Sequence, residues 1–135
     1  MAGYSGTPLV QKLGIKPNGR VALIDAPKGF ALALPEGAAL RDARARDLDV
    51  IVWFVTARAA FAKKLAPVAA RLQPAGGLWI AWPKKASGVA TDMTENVVRE
   101  VALPTGLVDN KVCAIDDTWS GLRLVVRLEN RPKQR

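Results

Sequence analysis

The sequence predicts an α/β fold: one mostly parallel, Rossmann-like sheet with helices on both faces and an antiparallel hairpin at its C-terminal end. Three observations lead there. The runs Asp49 to Val55 and Leu78 to Pro83 are apolar on both faces, which suits central parallel strands covered on each side. Between them, Phe61, Leu65, Val68 and Leu72 fall at spacings of four, three and four, the face of a helix. Near the end, Leu122, Leu124, Val126 and Leu128 are interleaved with Arg123 and Arg127, the period-two pattern of a half-exposed strand.

The elements follow in order. Residues 1–19 form a lead-in that closes on the turn signal Lys16-Pro17-Asn18-Gly19. Arg20 to Asp25 reads as the first strand, broken by Ala26-Pro27-Lys28-Gly29. A short helix is expected over residues 29–34, ended by Pro35 and Gly37, with a weak strand from Ala38 to Asp42. Asp49 to Val55 is the clearest strand, and the helix after it should be kinked or split at Pro67. Gln73-Pro74-Ala75-Gly76-Gly77 reads as a turn into the strand Leu78 to Pro83. Asp92 and Glu95, three apart, suggest a capping box opening a helix that Pro104 and Gly106 stop. Val108 to Ile115 and Leu122 to Leu128 are strands joined by the turn Asp116-Asp117-Thr118-Trp119-Ser120-Gly121. The domain is therefore expected over residues 20–129, with a basic tail at 130–135.

Composition narrows the chemistry. The 135 residues include no histidine and a single cysteine, Cys113. An internal disulfide, a Cys/His zinc site and a Ser-His-Asp or Cys-His unit are excluded within one chain. Acid–base work would fall to Asp, Glu, Lys or Tyr. Cys113, alternating with Val112 and Ala114, is expected to be a buried, inert thiol. The formal charge of +8 attracts anions, but the basic residues are scattered, which argues against nucleic acid. The longest apolar run is too short to span a bilayer, and the first residues do not read as a secretory signal, so a cytoplasmic location is expected.

Candidate binding residues gather at the carboxyl ends of strands, where open α/β sheets hold ligands. Lys84, Lys85 and Ser87 could hold an anionic group there; the plainer alternative is a solvated loop. Asp116, Asp117, Trp119 and Ser120 would join them if the strand before them runs parallel to the sheet, Trp119 stacking on a flat ligand. Otherwise they are a hairpin turn whose polar groups bond local backbone. Asp25 and Gly29, at the end of the first strand, are candidate cofactor residues, or simply a tight turn. Lys28-Gly29-Phe30-Ala31 matches an aromatic RNA-binding signature only in part, since Leu32 stands where a second aromatic belongs. Trp53, Phe54, Trp79 and Trp82 are expected in the core.

The element order resembles a shortened S-adenosylmethionine-dependent methyltransferase core, with Gln73-Pro74-Ala75-Gly76-Gly77-Leu78 similar to that family's glycine-containing entry to a central strand. The first loop departs from its pattern: Asp25-Ala26-Pro27-Lys28-Gly29 offers one glycine, and one strand–helix unit is missing between Asp42 and Asp49. Tyr4-Ser5-Gly6-Thr7-Pro8-Leu9, Lys12-Leu13-Gly14-Ile15-Lys16, Leu78-Trp79-Ile80-Ala81-Trp82-Pro83-Lys84-Lys85 and Asp116-Asp117-Thr118-Trp119-Ser120-Gly121-Leu122 resemble small bacterial proteins of the domain of unknown function 3052 family. That resemblance implies a bacterial source and a compact protein without an assigned activity.

Three functional readings follow. The first is a non-catalytic domain, without a cofactor, that binds an anionic small molecule or a protein partner. The alternative is a methyltransferase-like enzyme using S-adenosylmethionine near Asp25 and Gly29. A further alternative is a nucleic-acid binder acting through dispersed basic charge.

Overall fold

The computed structural model describes residues 8–131. The motif Tyr4 to Thr7 and tail residues 132–135 lie outside the described residues. The elements are α1 (Leu9–Lys12), β1 (Arg20–Ile24), β2 (Ala39–Leu40), β3 (Leu48–Phe54), α2 (Arg58–Ala69), β4 (Leu72–Pro83), α3 (Glu95–Ala102), β5 (Leu107–Ala114) and β6 (Trp119–Val126). Among the described residues, one six-stranded sheet holds all the strands in the order β2-β1-β3-β4-β6-β5. β1 to β4 are mutually parallel, while β6 runs antiparallel to both β4 and β5. β5 therefore points the same way as β1 to β4, and β6 is the one reversed strand. The α/β class, the mostly parallel sheet and the closing hairpin all hold.

One face of the sheet is covered by α2 and α3. Ile51, Trp53 and Val55 of β3 and its extension pack with Phe61, Leu65 and Val68 of α2 and with Val98 and Ala102 of α3. Trp53 meets Phe61 with ring centroids 5.5 Å apart. Helix α2 has no capping side chain of its own, because Ala57 stands at its N-cap. Asp92 Oδ1 takes that role across the chain, accepting from the Arg58 amide at 2.7 Å. The capping box of Asp92 with Glu95 is thus not formed: Thr94 caps α3, accepting from the Val97 amide at 3.1 Å. Glu95 instead pairs with Arg99 on the next turn, and Arg99 also bonds Asp109 of β5 at 3.0 Å. Pro67 does not split α2, which runs on through it to Ala69.

The other face is covered differently from expectation. Its helical cover is the single turn α1 plus the extended segment between β1 and β2. The helix expected over residues 29–34 does not form. Gly29 has φ +85°, and Phe30, Leu32 and Leu34 are half-buried while Ala31 and Ala33 are exposed. That is a period of two. It lets three large side chains reach Val52, Phe54 and their neighbours from an extended backbone. The lead-in is tied down by Trp79, whose Nε1 donates to the Leu13 carbonyl at 3.0 Å from within the core. Trp53, Phe54, Trp79 and Trp82 are all buried, as expected.

Two further readings are corrected. Leu72 opens β4 rather than closing α2, and Gln73 to Gly76 is a bulge within the strand rather than a turn before it. Leu48 pairs with Leu72 and Val50 with Gly77, so four residues of β4 lie opposite Asp49 alone. A Cβ on Gly76 would stand 2.7 Å from the Leu48 carbonyl oxygen, which explains the glycine. Cys113 is half-buried on the edge strand β5, not enclosed, because no further strand among the described residues pairs with that margin. Among the described residues, no helix is long and apolar enough to cross a membrane.

Candidate functional site

The strand order itself locates a crevice. The chain leaves β1 toward β2 on one side and returns as β3 on the other. Ligands of open α/β sheets bind outside the carboxyl ends of the strands at such a reversal. A hollow of about 280 Å³ lies there, lined by Asp25 beyond β1, by Phe54 to Ala57 at the end of β3, by Lys64 of α2, and by Trp119. A second hollow of about 440 Å³ is lined by Lys28, Gly29 and Phe30 on one side and by Asp116, Thr118 and Trp119 on the other. Trp119 is common to both.

The indole is held by aromatic contacts. Trp119 meets Phe54 edge to face at 5.1 Å and 87°, and Phe54 meets Phe30 at 4.9 Å and 68°. Asp116 Oδ1 accepts from the amides of Thr118 and Trp119, at 2.8 and 2.9 Å. This is an Asx turn, in which the carboxylate organises the hairpin that presents Trp119. Asp25 has φ +56°, a conformation that short polar residues tolerate better than most.

The sheet brings most of the expected residues to one rim. Pro83 pairs with Trp119, and the Lys84 amide donates to the Thr118 carbonyl at 2.7 Å. The lysine loop and the β5–β6 turn are therefore neighbours. Their side chains are less uniform. Ser87 Oγ donates to the Lys84 carbonyl at 2.7 Å and accepts from the Val89 amide at 3.2 Å, so its hydroxyl serves its own turn. Lys84 is half-buried and Lys85 exposed, and neither lines the two hollows just described. Asp117 stands exposed at the tip of the turn. Ser120 is already within β6, opposite Trp82.

Sequence reasoning missed Thr56, Lys64 and Phe30. Thr56 was findable as the end of the clearest strand. Lys64 adjoins Leu65 in the apolar face of α2, but its place above the reversal follows only from the strand order.

A methyl donor or nucleotide held at such a reversal needs free backbone amides or a helix N-terminus close to β1. The loop after β1 keeps amides at Ala26, Lys28 and Gly29 but offers no helix N-terminus. No helix follows β1, Pro27 has no amide hydrogen, and the Phe30 amide donates to the Pro27 carbonyl at 3.0 Å. Asp42, just past β2, accepts from the Arg44 amide at 2.7 Å. The loop therefore meets one of the two requirements for S-adenosylmethionine, backbone amides, and departs from the other, a helix directly after β1. Among the described residues, no group of three or more His, Cys, Asp or Glu could hold a metal.

Comparison with solved structures agrees on the fold. An S-adenosylmethionine-dependent methyltransferase from Aquifex aeolicus superposes with a TM-score of 0.68 at 13% identity, covering 87% of this chain and 88% of that one. Magnesium protoporphyrin IX methyltransferase from Synechocystis, solved with S-adenosylmethionine bound, gives 0.54 at 9% identity, over 87% and 74% of the two chains. The fibrillarin pre-rRNA processing protein of Methanococcus jannaschii gives 0.53 at 13%, over 83% and 68%. The core is thus methyltransferase-like, and identities this low carry the architecture alone. No curated protein matches the sequence. The family model described as "Protein of unknown function (DUF3052)" matches residues 35–128, and the chain belongs to that family.

Proposed function

We propose that this protein is a non-catalytic binding domain whose carboxyl-terminal rim receives a small anionic molecule carrying a flat ring. The observation that carries the reading is the position of Trp119, one indole shared by two hollows at the strand reversal. Lys64 lines the first hollow and Lys28 the second, so each has an ammonium group for an anion. Lys84 and Lys85, at the neighbouring strand end, add positive field at the same rim. Asp116 is committed to its own turn, and no histidine exists to partner a nucleophile, which leaves Asp25, Lys28 and Lys64 as the ionisable side chains facing the hollows. A cytoplasmic, bacterial setting accords with this reading.

The test is thermal shift with adenosine monophosphate, adenosine and inorganic phosphate. The reading expects adenosine monophosphate to raise Tm most, Trp119→Ala to abolish the rise, and Lys64→Ala to reduce it. A rise that survives Trp119→Ala, or none from adenosine monophosphate, flavin mononucleotide or salicylate, would sink it. The methyltransferase reading rests on the shared fold. It predicts a rise of several degrees with S-adenosylmethionine, where binding through the rim indole predicts a preference for ring-bearing anions.

A further inference from the structure

A third hollow, of about 320 Å³, lies at the opposite end of the sheet. It is lined by Asp49 and Val50 at the start of β3, Gln73 and Ala75 in the β4 bulge, Lys16 in the lead-in, and Arg123 of β6. From Asp49 to Phe54 the strand rises about 17 Å, so this hollow is remote from the rim.

Arg123 is the unusual member. It is half-buried, and its guanidinium lies directly over Gly77. A Cβ placed on residue 77 would stand 2.3 Å from Arg123 Nε and 2.7 Å from Cζ. The glycine is therefore what lets the planar group settle on the sheet. Its side-chain hydrogen-bond partner is Asn110 Oδ1, at 3.3 Å, and among the described residues no carboxylate pairs with it. Loss of hydration and the like charge of Arg131 both press its pKa downward. A half-desolvated guanidinium without a counter-charge is costly unless an anion joins it.

Asp49 faces the same hollow with acceptor capacity left. Oδ2 accepts from the Arg20 amide at 2.9 Å, and Oδ1 accepts weakly from Gln73 Nε2 at 3.3 Å. A carboxylate has about four lone-pair sites, so roughly two remain. Gln73 is itself fixed, its Oε1 accepting from the Ala75 amide at 2.9 Å. The hollow thus holds a positive fork and a negative acceptor, within a volume at the lower end of small-molecule sites, about 300–1,000 Å³.

We propose that this hollow binds a small carboxylic acid bearing an amine or hydroxyl, its carboxylate on Arg123 and its donor on Asp49. The planar guanidinium suits a carboxylate through two parallel N–H···O bonds, which an ammonium could not supply. The site is independent of the carboxyl-terminal rim.

Amide NMR titration of the labelled chain tests this, with L-serine, glycolate, acetate and methylammonium as probes. Serine or glycolate should give saturable shifts at Asp49, Gln73 and Gly77 in the millimolar range, with acetate about tenfold weaker for lack of the donor. Arg123→Gln should weaken serine and glycolate at least about tenfold. Gly77→Ala should do the same by displacing the guanidinium, and its conformation is open to alanine, so the fold is retained. If Arg123→Gln fails to fold, Gly77→Ala and Arg123→Lys decide. The proposal is overturned if neither serine nor glycolate gives saturable shifts, if the shifts are confined to the rim, or if affinity is unchanged in the folded variants.

Discussion

The Lys84 amide donates to the Thr118 carbonyl across 2.7 Å, which joins the end of a parallel strand to the turn of the C-terminal hairpin. It makes the carboxyl-terminal rim a property of two distant stretches of sequence. It also makes the geometry of that turn a condition for the position of Trp119.

Asp116→Ala should therefore cost stability and disturb the rim together. It leaves two part-buried amides without their acceptor, worth about 1–3 kcal/mol. Asp116→Asn keeps the acceptor oxygen and should recover most of the loss. Urea unfolding followed by tryptophan fluorescence measures both.

Gly121→Ala should destabilise, although glycine-to-alanine changes in strands commonly stabilise. A Cβ there would lie 2.9 Å from Ile115 Cδ1 and 3.1 Å from Trp79 Cε3. Overpacking of this kind costs about 1–3 kcal/mol. The entropic gain of about 0.4–1 kcal/mol is smaller, so the clash wins. The check is a lower urea midpoint with an unchanged slope.

Asp92→Ala should uncap a helix that begins 34 residues earlier in the chain, at Arg58. The expected loss is about 1 kcal/mol, with Asp92→Asn close to wild type. Amide exchange at the first turn of α2 should accelerate in the alanine variant, while α3, capped by Thr94, keeps its protection.

Burial pushes the Cys113 thiol above its ordinary value, outweighing the pull of Lys12 and Lys111. The thiolate is then disfavoured in the folded chain. The resulting stability is fully present below the unfolded-chain pKa, about 8.5, and declines as pH rises through the higher folded value. At pH 8 an aromatic disulfide reagent should react more slowly with the native protein than with the same protein in urea. Equal rates would show that the thiol is not shielded.

The strands were legible in the sequence because their patterns are local. Val50 to Phe54 and Leu78 to Trp82 are apolar throughout, and Leu122, Leu124 and Val126 recur at every second position around Arg123. The connection from β1 to β2 was misread, although Phe30, Leu32 and Leu34 already carry a period of two. A short apolar stretch between prolines suits one helical turn or an extended strap, and only the surface it must cover decides. That Lys84 and the Trp119 turn share a rim was readable from a parallel β5, but their direct contact was not, because it comes from β6 pairing with β4. The Arg123 contact with Gly77 was not. It depends on the exact offset between β4 and β6, with Trp79 opposite Arg123. Lys64 was passed over for a similar reason: its role comes from what stands across the crevice.

The placement of β6 between β4 and β5 has a consequence for biosynthesis. β5 emerges from the ribosome first, yet within the sheet its ladder is formed only with β6. Until residues through Val126 have been translated, β5 has no strand to dock on and β4 keeps a bare, strongly apolar margin. Nascent chains stalled just after Ala114 should therefore remain open to proteases and chaperones, and release of the last strand should close the sheet in a single late step.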